Sequence, residues 1–290
     1  MSRRGWIAAL LALALACGAC SLATSLDGLS GGDANANAAP GDDAGATATP
    51  PATDGGEPPP DAGDDPLDPY GREVSADAPS SWWRFEEEAG ASTVADARGG
   101  HAGTPSQEMV LGVPGAIGKG ARFAPWGGLD VGDVYDFAGA SSFTLEVWAA
   151  DEPNGKDRWI FSKRDEDVDP FQGWIMYARG SDSHVHFEFW GQGVDLSTQT
   201  RDRLASGFVH LVLTVAAEPS GRAVSTMYVD GVPQGGGTID PKIDAPNTGE
   251  HLTIGASFTG VLDEVAIYER ALPRERIVAH FEAGRASAGR

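Results

Sequence analysis

The sequence predicts an all-β head, an antiparallel two-sheet sandwich closed by a short C-terminal helix, and three observations carry that expectation. Seven of the eight tryptophans lie after residue 80, so the material for a sizeable core is confined to the second part of the chain. That part sets short runs of strand-type alternation between closely spaced turns marked by glycine and proline. A helical period is clear only after Pro273, where Ile277, Val278 and Phe281 form an apolar stripe.

Two segments precede the head. Arg3 and Arg4, the apolar run Trp6 to Ala16 and the small residues that follow have the layout of a secretory signal peptide over residues 1–20. The run is too short to span a membrane. Its end, Ala14-Leu15-Ala16-Cys17-Gly18-Ala19-Cys20, resembles the lipobox of bacterial lipoproteins, in which a cysteine becomes the lipidated N-terminus. Cleavage before Cys20 leaves no spare thiol, which makes Cys20 the expected lipidation site; cleavage before Cys17 is the alternative register, and a plain secreted protein the alternative fate. Residues 21–78 are rich in Pro, Gly, Ala and Asp, with Tyr70 as their single aromatic. Such a composition cannot offset the entropy of ordering, so a disordered acidic tether is expected there, with the head over 79–285 and a tail over 286–290. The net charge of −21 divides as +2 in the first twenty residues, −11 in the tether and −12 in the remainder. That acidity favours solubility and cations and argues against nucleic acid as a partner.

Within the head, Trp82 to Glu86 reads as a short strand and Asp96 to Gly100 as a turn. Glycines punctuate Gly112 to Phe123. Ser142 to Trp148 alternates strictly, with Phe143, Leu145 and Val147 on one side, as a half-buried strand does. Further strands are expected over Arg158 to Lys163, Gly173 to Ala178, Val185 to Trp190, Phe208 to Ala216 and Leu252 to Gly255. Thr226 to Val232 reads as a hairpin, because Asp230-Gly231 supplies the positive φ angles a two-residue turn requires.

The last strand, Gly260 to Tyr268, carries an awkward acid. Strict alternation places Val261, Asp263, Val265 and Ile267 on one face and Leu262, Glu264, Ala266 and Tyr268 on the other. A carboxylate among branched apolar side chains is costly without compensation, so Asp263 needs a partner from elsewhere. Arg84, Arg122 or backbone N–H groups are one answer and a cation is the other. On this alternation Asp263 and Glu264 point apart and cannot act as a pair.

The strings WWRFEEE, GVPGAIGKGARF, SFTLEVWA, IFSK, GWIMYA, FVHLVLT, MYVDGV, LTIGA and FTGVLDEVAIYERAL together resemble the laminin-G-like jelly-roll domains of the concanavalin A-like lectin/glucanase superfamily, over residues 80 to 284. The resemblance implies two curved antiparallel sheets with first and last strands adjacent. It also implies a structural calcium between those strands, for which Glu86, Asp96 and Asp263 are the residues in matching positions. For function it implies a choice among lectins, adhesion modules and glycosidases. The Glu-x-Asp-x-x-Glu string of the laminarinase-like members is missing and Glu146 stands alone on its strand, so no catalytic residue is assigned. Asp165, Asp167 and Asp169 have alternating oxygens without the later ligands of a calcium loop, and read as a solvated hairpin.

Sugar binding needs exposed aromatics beside polar groups. Trp126, Phe171 and Trp190 sit beside glycine-containing loop sequence; Trp190, followed by Gln192 and Asp195, is the leading platform and Trp126 the second. The sequence thus describes an exported, membrane-anchored lipoprotein of the bacterial envelope whose head binds carbohydrate or a surface protein. A protein-interaction or envelope-structural domain without a sugar site is the alternative, and a glycosidase the third reading.

Overall fold

The structure, a computed structural model, describes residues 67–137, 141–169, 171–190, 195–204, 207–239 and 248–287. Cys17, Cys20, the signal segment and the expected tether up to residue 66 lie outside the described residues. In chain order the elements are helix α1 (Pro69–Ala76), then strands β1 (Ser81–Trp83), β2 (Thr104–Pro105), β3 (Val110–Pro114), β4 (Lys119–Phe123), β5 (Leu129–Asp130), β6 (Phe143–Asp151), β7 (Arg158–Asp165) and β8 (Gln172–Ala178). There follow β9 (His184–Trp190), β10 (Asp195–Arg203), β11 (Val209–Ala217), β12 (Ala223–Val229), β13 (Val232–Ile239), β14 (Thr253–Ile254), β15 (Gly260–Tyr268) and helix α2 (Arg274–Ser287).

These strands form the expected two sheets. One has eight strands in the order β13-β12-β11-β6-β15-β4-β3, with β1 also paired to β15; the other has seven in the order β10-β9-β8-β7-β14-β5-β2. First and last strands are adjacent, Ser81 opposite Ile267 and Trp83 opposite Val265. Phe143, Leu145 and Val147 point into the core between the sheets, where Trp174, Met176, Phe187 and Phe189 meet them from the second sheet. The hairpin turn lies at Asp230-Gly231, with φ of 52° and 73°.

The other face of β6 is buried as well. Trp148 joins Tyr70 and Val74 of α1, Val212, Tyr268 and Ile277 of α2 in a second apolar cluster on the outside of the eight-stranded sheet. The chain therefore has three layers, helices, sheet and sheet. Helix α1 corrects the expected tether boundary: an ordered element begins ten residues before position 79. Asp68 accepts the Gly71 N–H at 2.9 Å and Pro69 opens the first turn, so cap and proline start the helix where composition alone suggested none.

Between these layers Glu146 is fully buried. Tyr70 and Tyr268 each donate a hydroxyl to it at 2.9 Å, His210 Nε2 donates at 2.8 Å and His280 Nδ1 at 3.0 Å. His280 Nε2 donates in turn to Asp77 at 3.0 Å, and Arg276 Nε reaches the same oxygen at 2.6 Å. An imidazole that donates from both nitrogens is protonated. Burial works against the Glu146 charge, yet His280 and His210 hold its pKa well below the usual carboxylate range; burial lowers the His280 pKa, and Glu146 with Asp77 raises it by more. One carboxylate thereby ties α1, β11, β15 and α2 to β6.

Candidate functional site

The two outer faces of the sandwich differ. Helices cover the middle of the eight-stranded sheet, whereas no helix among the described residues packs on the outside of the seven-stranded sheet. Strand register fixes what that second face displays. One row across it runs Thr104, Asp130, Thr253, Ser162, Ile175, Glu188, Ser197, each residue directly opposite the next. A second row runs Tyr177, His186, Gln199, and a third Arg164, Gly173, Trp190.

At one end these rows build an aromatic and charged platform. Trp190 meets Phe171 edge to face at 5.6 Å, and the Arg164 guanidinium lies over Phe171 at 4.7 Å. Glu188 orients the group: it accepts Trp190 Nε1 at 3.1 Å and the Tyr177 hydroxyl at 2.6 Å. Burial and that carboxylate push the Tyr177 phenol up to about 12, so it stays a donor at neutral pH. Tyr177 stacks on His186 at 5.3 Å. Burial and the positive charge of Arg179 lower the His186 pKa, which keeps the ring neutral. Both of its nitrogens are buried without a hydrogen-bond partner, as is Arg164 Nε.

At the other end, four strands away at a spacing of about 4.8 Å, the face carries Trp126. Its side chain is 83% exposed and its backbone is held at a φ of 72°. A tryptophan in the left-handed region is strained by about 1–3 kcal/mol, and such strain collects where a ligand is held. Beside it a groove of about 380 Å3 is lined by Thr104, Ser106, Asp130 and Thr253.

Of the residues expected to bind ligand, the structure thus puts Trp190 and Trp126 on one face, at opposite ends. Asp195 pairs with Trp190 in the strand register, and Gln192 lies outside the described residues. The sequence reading missed Arg164, Tyr177, His186 and Glu188. The signal was present in β9, where His184, His186, Glu188 and Trp190 recur at every second position and so share a face with the platform tryptophan.

The expected calcium ligands do not converge. Asp96 commits both oxygens to backbone N–H groups, those of Arg98, Gly100 and His101 in its own turn and that of Trp82 on β1; burial opposes its charge, but these donors lower its pKa. Glu86 accepts the Lys119 N–H, and Asp263 accepts Ile117 N–H at 2.9 Å. Among the described residues no three His, Cys, Asp or Glu side chains are grouped to hold a metal ion, so this donor set does not fit calcium.

The alternation expected around Asp263 is also overturned. The register shifts between Asp263 and Ala266, and Glu264 has a φ of 50°. This bulge switches parity, so that Leu262, Val265 and Ile267 face the inter-sheet core while Asp263 and Glu264 both turn to the helix-bearing side. Arg84 bonds Glu264 at 2.9 Å and Asp68 at 2.6 Å, and Trp82 Nε1 donates to Glu264. Burial and the neighbouring Glu264 raise the Asp263 pKa well above the carboxylate range, while burial pushes Glu264 up to about 8 against the pull of Arg84.

Comparison with known proteins agrees with this architecture. Residues 127–278 match the family model of a laminin-G domain group in the concanavalin A-like lectin/glucanases superfamily. Among solved structures, domain 4 of AbnA, a GH43 extracellular arabinanase from Geobacillus stearothermophilus solved with arabinotriose, superposes with a TM-score of 0.55 at 17% identity, over 70% of this chain and 97% of that one. The binding domain of Paraclostridial Mosquitocidal Protein 1 gives 0.53 at 16% identity, over 69% and 51%. A Trypanosoma rangeli sialidase mutant displaying trans-sialidase activity gives 0.54 at 17% identity, over 74% of this chain and 34% of that one. This chain thus spans about half of the toxin domain and a third of the sialidase. A comparison with curated protein sequences returns no match.

Proposed function

Because this chain belongs to the concanavalin A-like lectin/glucanases superfamily, we propose that its head is a non-catalytic, lectin-like module that binds carbohydrate across the open face of the seven-stranded sheet. The observation that carries this reading is the pairing of Trp190 with Phe171 at one end of a sheet face on which no described helix packs, and the strained, exposed Trp126 at the other. Sugar rings stack on such aromatics through their apolar faces, while the partly exposed carboxylates of Glu188 and Asp130 take hydroxyl groups. The arabinotriose bound by the similar arabinanase domain is a ligand of this class. A non-catalytic role fits the carboxyl groups whose pKa values are most displaced: Glu146, Asp263 and Glu264 are fully buried on the helix side, out of reach of a glycosidic bond. The remaining parts of the proposal rest on sequence: export, lipidation at Cys20 with Cys17 as the alternative, and an acidic tether that carries the head away from a bacterial membrane.

A glycan-array screen of the chain from residue 21 tests the binding proposal. Reproducible binding of a saccharide, lost in Trp190→Ala, supports it; hydrolysis of a bound polysaccharide by the purified protein contradicts the non-catalytic assignment.

A further inference from the structure

A second groove lies away from this face, at the β12–β13 edge of the eight-stranded sheet, beyond the helices. It is a shallow, open groove of about 510 Å3. Thr226 and Val224 line it on the side of β12 opposite to Ala223 and Met227, which point into the core. The third wall is β13, where Gly235, Gly236 and Gly237 follow one another. Packing accounts for two of these glycines: a Cβ at Gly235 would stand 2.1 Å from the Gln199 carbonyl oxygen, and one at Gly236 would stand 2.8 Å from that of Ser225. The result is a groove floored by bare backbone, open to close approach by a ligand.

Two polar groups in it lack the partners they need. Gln234 is 8% exposed and its Oε1 is buried with no hydrogen-bond donor. Arg201 is exposed at the groove and makes no ion pair among the described residues, in a chain of net charge −21. We propose that this groove is a binding site for a carboxylated saccharide of the uronic-acid class. Arg201 pairs with the carboxylate, Gln234 Oε1 and the hydroxyls of Thr226 and Thr238 take the ring hydroxyls, and Val224 and Pro233 meet an apolar ring face. The site stands independently of the sheet face proposed above, since it shares none of its residues.

Titration of the chain from residue 21 with trigalacturonate, followed by calorimetry, tests it. Saturable binding is expected, weakened roughly tenfold or more in Arg201→Ala, as loss of a charge-assisted hydrogen bond requires. Thr226→Trp, which fills the groove, abolishes it, and Trp190→Ala leaves it unchanged. Arg201 is exposed and unpaired, so its variant keeps the wild-type melting temperature. No binding at millimolar trigalacturonate overturns the proposal. So does equal affinity for the methyl-esterified trimer, or retention of full affinity in Arg201→Ala. Tighter binding of a short peptide with a free C-terminus would assign the groove to another ligand class and likewise overturn it.

Discussion

Single residues decide how the head responds to pH. Glu146 lies at the centre of four donated hydrogen bonds and has no access to water. Its folded-state pKa is depressed, so its contribution is full above the ordinary glutamate range and is lost as pH falls through the folded value. His280 has the opposite sign: its raised pKa contributes stability that is full below about 6.5 and is lost as pH rises through the folded value. Thermal melts are therefore expected to show a maximum between these limits, and His280→Gln to flatten the alkaline limb. Glu146→Ala leaves His280 and His210 buried without their acceptor and is expected to cost about 3–5 kcal/mol; an unchanged melting temperature would refute the tie between helices and sheet. Little of this was legible in the sequence. Glu146 read as an isolated acid because its partners come from positions 70, 210, 268 and 280, which only the fold brings together. Asp263 was recognised as a buried acid in need of a partner, and of the alternatives the structure supplies a backbone N–H, that of Ile117. Arg84 goes to Glu264 instead, because the bulge turns both carboxyls to one side.

Elements whose period is local were legible. The alternation of β6 and the Asp230-Gly231 turn appear where the residue pattern puts them, since side-chain direction and φ preference are properties of a few consecutive residues. Helix α1 was not, because eight residues of middling helix propensity form a helix only when Tyr70 and Val74 have a surface to cover. That surface includes Trp148, which also constrains α2. A Cβ at Gly284 would lie 2.3 Å from Trp148 Cζ2, so Gly284→Val is expected to destabilise the head by about 1–3 kcal/mol through overpacking. Denaturant melts check this, and a neutral or stabilising effect would mean that α2 is not seated on Trp148.

At the scale of the molecule, the layer order assigns roles to the two sheets. The eight-stranded sheet is buried between core and helices along β6 and β15, while the seven-stranded sheet leaves its aromatic and polar outer face open. Trp190 and Trp126 were legible as candidate platforms, but their placement on one face depends on strand order, which sets β14 between β5 and β7, each about a hundred residues away in sequence. Calcium was expected between first and last strands, and the geometry there gives Asp96 a full set of backbone donors instead. Adding millimolar calcium to EDTA-treated protein is accordingly expected to leave the melting temperature unchanged. A clear rise would show that these carboxylates rearrange around the ion.

The most direct measurement is the affinity of an array-identified glycan for the wild type, Trp190→Ala and Trp126→Ala. Binding across the open sheet face predicts that each substitution weakens the complex roughly tenfold with the fold intact, as loss of an aromatic anchor does. Unchanged affinity in both variants would contradict the account.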